Sequence, residues 1–379
     1  MCLSVAIQSS ELTYLPVEQL HLRAKSLAAR FKQGGGTNYI DEAIDLDREA
    51  LEHCLPGHPN RSGLLTFLSI HLSDRYGQLG VREDMEEAIV LDREALNLLP
   101  HGHPNRSASL NNLAVHLFSR YNLLGAMKDL AEAIVLDREA LNLRPHGHSE
   151  HTSSLNNLAV RLFSRYLRVG EMKDLEEAIV LDREALNLRP EGHPDRSSSL
   201  NNLAAHLSTR YNQLGEMGDL AEAIVLGREA LSLHPRGHPH RFESLNNLAN
   251  HLSTRYKQLG GMEDLDEAIV LDREALNLRP QGHPGRSNSL NNLANHLSTR
   301  YNQLGAMQDL DEAIVLDQEA LLLRLKGNPD RSASLHNLAV RLSARYGQFG
   351  AMEDLEEAIV LVREVSTFVH VGVLFDLAP

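Results

Sequence analysis

Cysteine is nearly missing from this chain. Cys2 and Cys54 are the only two, too few for a disulfide framework or a paired-cysteine metal site. Their scarcity agrees with a reducing compartment. Tryptophan is absent, so the apolar content rests mainly on Leu and Ala. Basic residues are outnumbered, 37 Lys and Arg against 51 Asp and Glu, for a net charge of -14. That balance disfavours nucleic acid, whose phosphates are bound by displacing counterions with Lys and Arg. No apolar run approaches the ~20 residues a membrane-spanning helix needs. The opening "MCLSVAIQSSELTYLP" lacks the basic start of a secretion signal. A soluble cytoplasmic protein is expected, with no nucleic-acid or membrane partner.

What the chain has is repetition. Gly57, Gly102, Gly147, Gly192, Gly237, Gly282 and Gly327 follow one another at intervals of 45 residues. The alanine of "EAI" keeps that register from Ala43 to Ala358. Eight units therefore span roughly Gln19 to Val365. A strictly periodic chain stacks unit on unit, each touching its neighbours. The expected organisation is an N-terminal extension over 1–18, a repeat solenoid over 19–366 with degenerate first and last units, and an apolar tail over 367–379.

Each unit reads as two helices. In the third unit Leu110, Leu113, Ala114, Leu117, Tyr121 and Leu124 recur at helical spacing, which gives one buried stripe. Pro104 suits a first turn, and Gly125 marks the exit. Asp129, followed by Glu132, has the spacing of a capping box. Leu130, Ala133, Ile134, Leu136, Ala140 and Leu141 form a second stripe, ended by Pro145 and Gly147. Strand signals are absent. The predicted fold is all-α, a right-handed superhelical solenoid of about eight antiparallel helix pairs.

These residues carry a resemblance. The L-x-x-L-A of the first helix, then "EAI", Ala seven residues on and Pro five beyond, resembles the tetratricopeptide repeat (TPR), lengthened from 34 residues by 11. The wording "GHPxRSxSLNNLAxxLxxRYxxLGxxxDLEEAIxLxREAL" is similar to fungal aromatic di-alanine and TPR-containing proteins. Its "HP...LNNLA" portion also looks like kinesin light chain repeats. The resemblance implies a non-enzymatic scaffold that binds a peptide or protein segment in a concave groove lined by first helices; a monomer is expected. Fungal relatives often join such arrays to a CHAT or NTPase module, so a regulatory arm of a larger protein is the alternative.

Within the first helix, Asn112 lies opposite the buried stripe with Ala108, Val115 and Ser119, and Asn111 lies on its flank. The register recurs at Asn157, Asn202, Asn247, Asn292 and Asn337. Facing the groove, these amides offer donors and acceptors to an extended peptide backbone; alternatively they bridge neighbouring helices. One step along, Val115, Val160, Ala205, Asn250, Asn295 and Val340 change character. Asn250 and Asn295, beside Thr254 and Thr299, mark a polar middle that suits a peptide backbone.

Histidine is abundant, but the loop series His58 to His283 and the helix series His71 to His296 place one residue per unit. Equivalent positions in different units cannot converge on one ion. The loop histidines are read as capping or packing residues, and no metal or cofactor is expected. Cys54 has only His53 as a sequence neighbour, facing another way, so no catalytic residue is assigned.

The tail after Glu364, "VSTFVHVGVLFDLAP", is expected to fold over the last helix pair or to lack order. One polar residue lies on a face that should be buried. Asp137 falls between Ala133 and Ile134 around the second helix, with counterparts at Asp47, Asp92, Asp182, Asp272 and Asp317. A buried carboxylate needs compensation. Every unit offers an Arg at the 120 position, so bridges are predicted for Asp137 with Arg120 or Arg165, Asp182 with Arg165, and Asp272 with Arg255. Arg106 is a second choice, replaced by His151 one unit on.

Overall fold

A computed structural model describes residues 16–375 except 284, 326, 327 and 329, with side chains described to Val365. Sixteen α-helices and no strand occur among the described residues. The chain divides into two compact units, Met1–Leu188 and Arg189–Pro379.

The first unit holds four helix pairs: α1 (Val17–Lys32) with α2 (Thr37–Glu52), α3 (Arg61–Leu79) with α4 (Arg82–Asn97), α5 (Arg106–Leu124) with α6 (Met127–Asn142), and α7 (His151–Val169) with α8 (Met172–Asn187). Consecutive pairs pack through the second helix of one and the first of the next. The second unit repeats the arrangement: α9 (Arg196–Leu214) with α10 (Met217–Ser232), α11 (Arg241–Leu259) with α12 (Met262–Asn277), α13 (Arg286–Leu304) with α14 (Met307–Leu323), and α15 (Arg331–Phe349) with α16 (Met352–Phe375). The expected eight helix pairs are present.

The two apolar stripes explain the packing. Leu110, Leu113, Ala114, Leu117 and Tyr121 are buried, as are Leu130, Ala133, Ile134, Leu136 and Ala140. Leu124 departs from expectation and is 55% exposed, because the helix stops there and Gly125 turns the chain left-handed at φ 70°. Each core layer draws on adjacent pairs. One joins Met85 and Ile89 of α4 to Leu110, Leu113 and Leu117 of α5 and Ala133 of α6. Truncating a leucine such as Leu113 should cost ~2–5 kcal/mol. The fully enclosed "EAI" alanines let neighbouring backbones approach, so larger side chains there would overpack by ~1–3 kcal/mol.

Two start signals act differently from their sequence reading. Asp129 does not cap: Ala126 holds the cap position and makes no side-chain cap bond. Asp129 instead sits inside the first turn, where a negative charge suits the helix dipole. Pro104 precedes α5 by two residues. The turn it occupies is closed by His103, whose Nδ1 accepts from the Asn105 N–H at 3.1 Å. His58, His148, His193, His238 and His283 close their turns in the same way.

On the outer face, second helices of successive pairs are stitched by exposed ion pairs: Arg48–Glu87, Arg93–Glu132 and Arg138–Glu177 in the first unit, Arg228–Glu267 and Arg273–Glu312 in the second. Exposed pairs contribute at most ~1 kcal/mol each, so they guide register more than they hold the fold. The helix α16 continues to Phe375. The expected covering of the last pair by the tail falls on side chains outside the described residues.

Candidate partner-binding face

The repeated polar residues sort into three layers, each set by its angle around a helix. The innermost is the acid of the second helix. Asp47, Asp92, Asp137, Asp182, Asp272 and Asp317 are all at most 1% exposed. Their expected arginine partners are corrected by the geometry. Asp137 pairs with Arg161 of α7 at 2.8 Å, and Asp317 pairs with Arg341. In three other places the partner is histidine: His71 with Asp47 at 2.6 Å, His116 with Asp92 at 2.6 Å, and His296 with Asp272 at 2.7 Å. Arg161 stands four residues before Arg165, one helical turn nearer the middle of α7, and His296 replaces Arg255 from the following helix pair.

The expected arginines are used elsewhere. Arg120 forks Asp129 through Nε at 2.8 Å and Nη2 at 2.9 Å, and reaches Glu86 with Nη1 at 2.6 Å. Arg165 forks Asp174 and Arg255 forks Asp264 in the same bidentate way. Each fork clamps the two helices of a pair across their turn. Bonding to the carboxylate pushes these guanidinium pKa values up. The polar residues thus form two acid–base sets, and Arg120 binds Asp129 because both flank the same short turn.

Burial decides the electrostatics of the inner pairs. It pushes the Asp137 carboxyl up to about 6, although Arg161 and, less strongly, Arg144 oppose it. Asp317 is likewise raised to about 6 against the pull of Arg341. Gly227 interrupts the acid series, and the histidine that would face an acid, His251, is lowered to about 4 by burial.

The second layer is the first Asn of "NN". Asn201, Asn246 and Asn291 donate through Nδ2 to Ser244, Ser289 and Ser334 of the following pair at 3.1, 3.4 and 3.2 Å. Those serines and their counterparts Ser154 and Ser199 also face the row of Arg144, Arg189, His234, Arg279 and Arg324. Arg144 and Arg279, for example, donate to Ser154 and Ser289 at 2.7 and 2.9 Å. In the second unit the bridges to the following serine therefore come from the first Asn. This row was missed in the sequence because its members alternate among Cys54, Leu99, Arg and His.

The third layer is the second Asn. Asn112 and Asn157 are half-buried in the first unit, and Asn157 donates to Asn111 at 2.9 Å. In the second unit Asn202, Asn247, Asn292 and Asn337 are half-buried, while Asn250 and Asn295 are exposed. There the first helices line three polar clefts. The first, of 380 Å³, brings together Asn250, Asn292 and Asn295 with Thr254, Thr299 and Arg341. A second, of 360 Å³, contains Asn202 and Asn247, and a third, of 290 Å³, contains Asn292, Asn295 and Asn337. Thr254 and Thr299 hydroxyls donate back to the carbonyls of Asn250 and Asn295 at 2.8 Å. Arg341 connects the floor to the interior: one terminal nitrogen pairs with Asp317, and the other donates to Asn295 Oδ1 at 2.6 Å.

A further grouping escaped the sequence reading. His146, His151 and Glu184 converge at the open end of α7 and α8, with all three candidate ligand atoms within 4.8 Å of one another. Comparing equivalent positions 45 residues apart does not find it, since its members stand at three different positions of the repeat. Cys54 is fully enclosed, and burial pushes its thiol pKa up, the behaviour of an inert packing residue.

The tetratricopeptide repeat family pattern matches residues 106–150, 151–195 and 331–366. Among curated proteins no match is found. Two solved structures share the fold. The apo form of the quorum sensor NprR from B. thuringiensis aligns with a TM-score of 0.59 at 16% identity, covering 94% of this chain and 89% of that one. A tetratricopeptide repeat protein from Parabacteroides merdae aligns with a TM-score of 0.53 at 14% identity, covering 86% and 98%. Nearly identical TPR-like repeats from Podosopora anserina reach 24% identity over 57% of this chain and 98% of theirs, with a TM-score of 0.42. The chain is a TPR-like solenoid of about eight repeats. Among the described residues no helix is long and apolar enough to cross a membrane.

Proposed function

We propose that the chain is a non-catalytic scaffold that binds an extended peptide segment along the first-helix face of its second unit. One observation carries this reading: Asn250, Asn292 and Asn295 share a single polar cleft of 380 Å³. Carboxamides pair with backbone N–H and C=O groups whatever the peptide sequence. Few apolar side chains line the cleft, so affinity would come from backbone hydrogen bonds, with side chains of the peptide adding selectivity. Such bonds are worth ~0.5–1.5 kcal/mol each, which requires several amides acting together. The repetition of Asn along successive first helices supplies them.

A random-peptide display library panned on the full chain tests the reading. Selected peptides should bind the parent and lose binding to the Asn250→Ala/Asn292→Ala/Asn295→Ala variant. N-methylation at alternate backbone positions of a selected peptide should also abolish binding. Equal binding to parent and variant would remove the cleft from consideration.

A further inference from the structure

Six repeats carry the same charge pair beside the loop between helix pairs. Arg61, Arg106, Arg196, Arg241, Arg286 and Arg331 bind Glu94, Glu139, Glu229, Glu274, Glu319 and Glu364. Where the geometry is complete, the arginine also donates to the backbone of the preceding turn, as Arg106 Nη1 does to the Leu99 carbonyl at 2.7 Å. In the fourth repeat the arginine is replaced by His151, and the acid remains as Glu184.

This replacement leaves an imbalance of donors. His151 Nδ1 lies 2.5 Å from the Arg144 carbonyl oxygen. A carbonyl only accepts, so Nδ1 carries the proton. A neutral imidazole then has a lone pair on Nε2, and Nε2 lies 3.2 Å from Glu184 Oε1, another acceptor. A second imidazole points to the same oxygen, with His146 Nε2 at 3.6 Å. The His146 and His151 ring centroids are 4.6 Å apart. Two acceptors, His151 Nε2 and Glu184 Oε1, therefore meet beside a second imidazole where the other repeats hold a guanidinium. Arg144, the arginine of this loop, has its guanidinium engaged with Ser154 at 2.7 Å.

We infer that His146, His151 and Glu184 form a site for a divalent cation of the zinc class. The spacing supports it. Zinc bonds of ~2.0–2.1 Å in a tetrahedron separate ligand atoms by ~3.3 Å, and the two nitrogen-to-oxygen distances here are 3.2 and 3.6 Å. Two imidazoles with one carboxylate suit zinc, whereas calcium and magnesium prefer all-oxygen shells. The bond from Nδ1 to a backbone carbonyl fixes the tautomer and aims Nε2 outward, as outer-shell partners of metal-bound histidine do. His151 is nearly buried at 8% side-chain exposure and His146 is 75% exposed. The fourth position would thus face solvent, open to water or to a ligand atom from a partner. In the preceding repeat His101 also approaches Glu139, at 4.0 Å, but Arg106 occupies the third corner.

The repeat supplies its own control. The substitution His151→Arg installs the residue that six other repeats use, so it should fold and restore an Arg–Glu pair. Calorimetric titration of the full chain with zinc chloride should show one equivalent more for the parent than for H151R, and Glu184→Gln should lose that same equivalent. Zinc should raise the melting temperature of the parent and not that of H151R. Equal zinc uptake by parent and H151R would overturn the site. So would the absence of uptake by the parent, which would mean that a doubly protonated His151 alone balances Glu184.

Discussion

Replacing Arg161 by Ala isolates the worth of a buried ion pair, because the other member cannot leave. Asp137 is 1% exposed and Arg161 is 3% exposed. Removing one partner of such a pair costs ~3–5 kcal/mol. The acid has one escape, which is to take up a proton. Its carboxyl, 3.8 in the ordinary state, is already raised to about 6 by burial with Arg161 present. A folded-state value above the unfolded one means that this group favours folding at low pH, and that its contribution is lost as pH rises through about 6. Without Arg161 the carboxyl rises further. Between the two folded-state values the variant keeps a proton that the parent has released, so the stability gap widens by ~1.4 kcal/mol per pH unit. Urea unfolding followed by circular dichroism at pH 5.5 and pH 8 measures this, with unchanged slopes confirming that the same surface is exposed. The loss at pH 8 should exceed that at pH 5.5 by ~1.4 kcal/mol or more. Arg161→His should recover most of it, since His71, His116 and His296 hold the same acid elsewhere. An R161A loss independent of pH, or an R161H variant as unstable as R161A, would refute the reasoning.

The interrupted acid series offers the reverse experiment. A Cβ at Gly227 would sit 3.4 Å from Leu248 Cδ1 and 3.7 Å from His251 Cδ2, so Gly227→Asp has room. It should raise the His251 pKa above its value of about 4, read by NMR titration; an unchanged value would deny the pairing. In the parent, His251 is lowered, so its contribution is present above its unfolded value of 6.5 and lost as pH falls through about 4. Replacing Asn202, Asn247 and Asn292 together by Ala should change stability by less than about 0.5 kcal/mol per site while weakening the peptides selected on the parent. A larger loss in thermal unfolding with binding retained would assign these amides to structure. Asn246→Ala should behave differently from Asn247→Ala, costing ~0.5–1.5 kcal/mol for the lost bond to Ser289; equal effects in urea would erase the distinction between the two rows.

The helix pairs were legible because a 45-residue period and two apolar stripes leave few alternatives. Asp137 was legible as a buried acid because its angle around the helix depends only on its own sequence. Its partner was not. Choosing between Arg165 and Arg161 requires the axial offset between α6 and α7, and an error of one turn moves the answer by four residues. Asp129 was misread as a cap because its spacing to Glu132 fits two roles, and the start of α6 at Met127 settles which. The "NN" pair carries two environments that its sequence does not separate: Asn246 is buried and donates to Ser289, while Asn247 is half-buried beside it. His151 was noticed only as a missing arginine, since Glu184 lies 33 residues away and the loop brings His146 to it.

The outer stitches bear on how this chain can change length. Arg48–Glu87, Arg93–Glu132 and Arg273–Glu312 each join residues 39 apart, and each bridged repeat gives an arginine forward and a glutamate backward. Excising one whole 45-residue block rejoins matching halves of every such contact, along with matching core layers. Excising 44 residues rotates all that follows by about 100° around its helix axis and pairs nothing. Insertions and deletions compatible with folding are therefore quantised, and repeat number can drift by whole steps without any interface having to be reinvented.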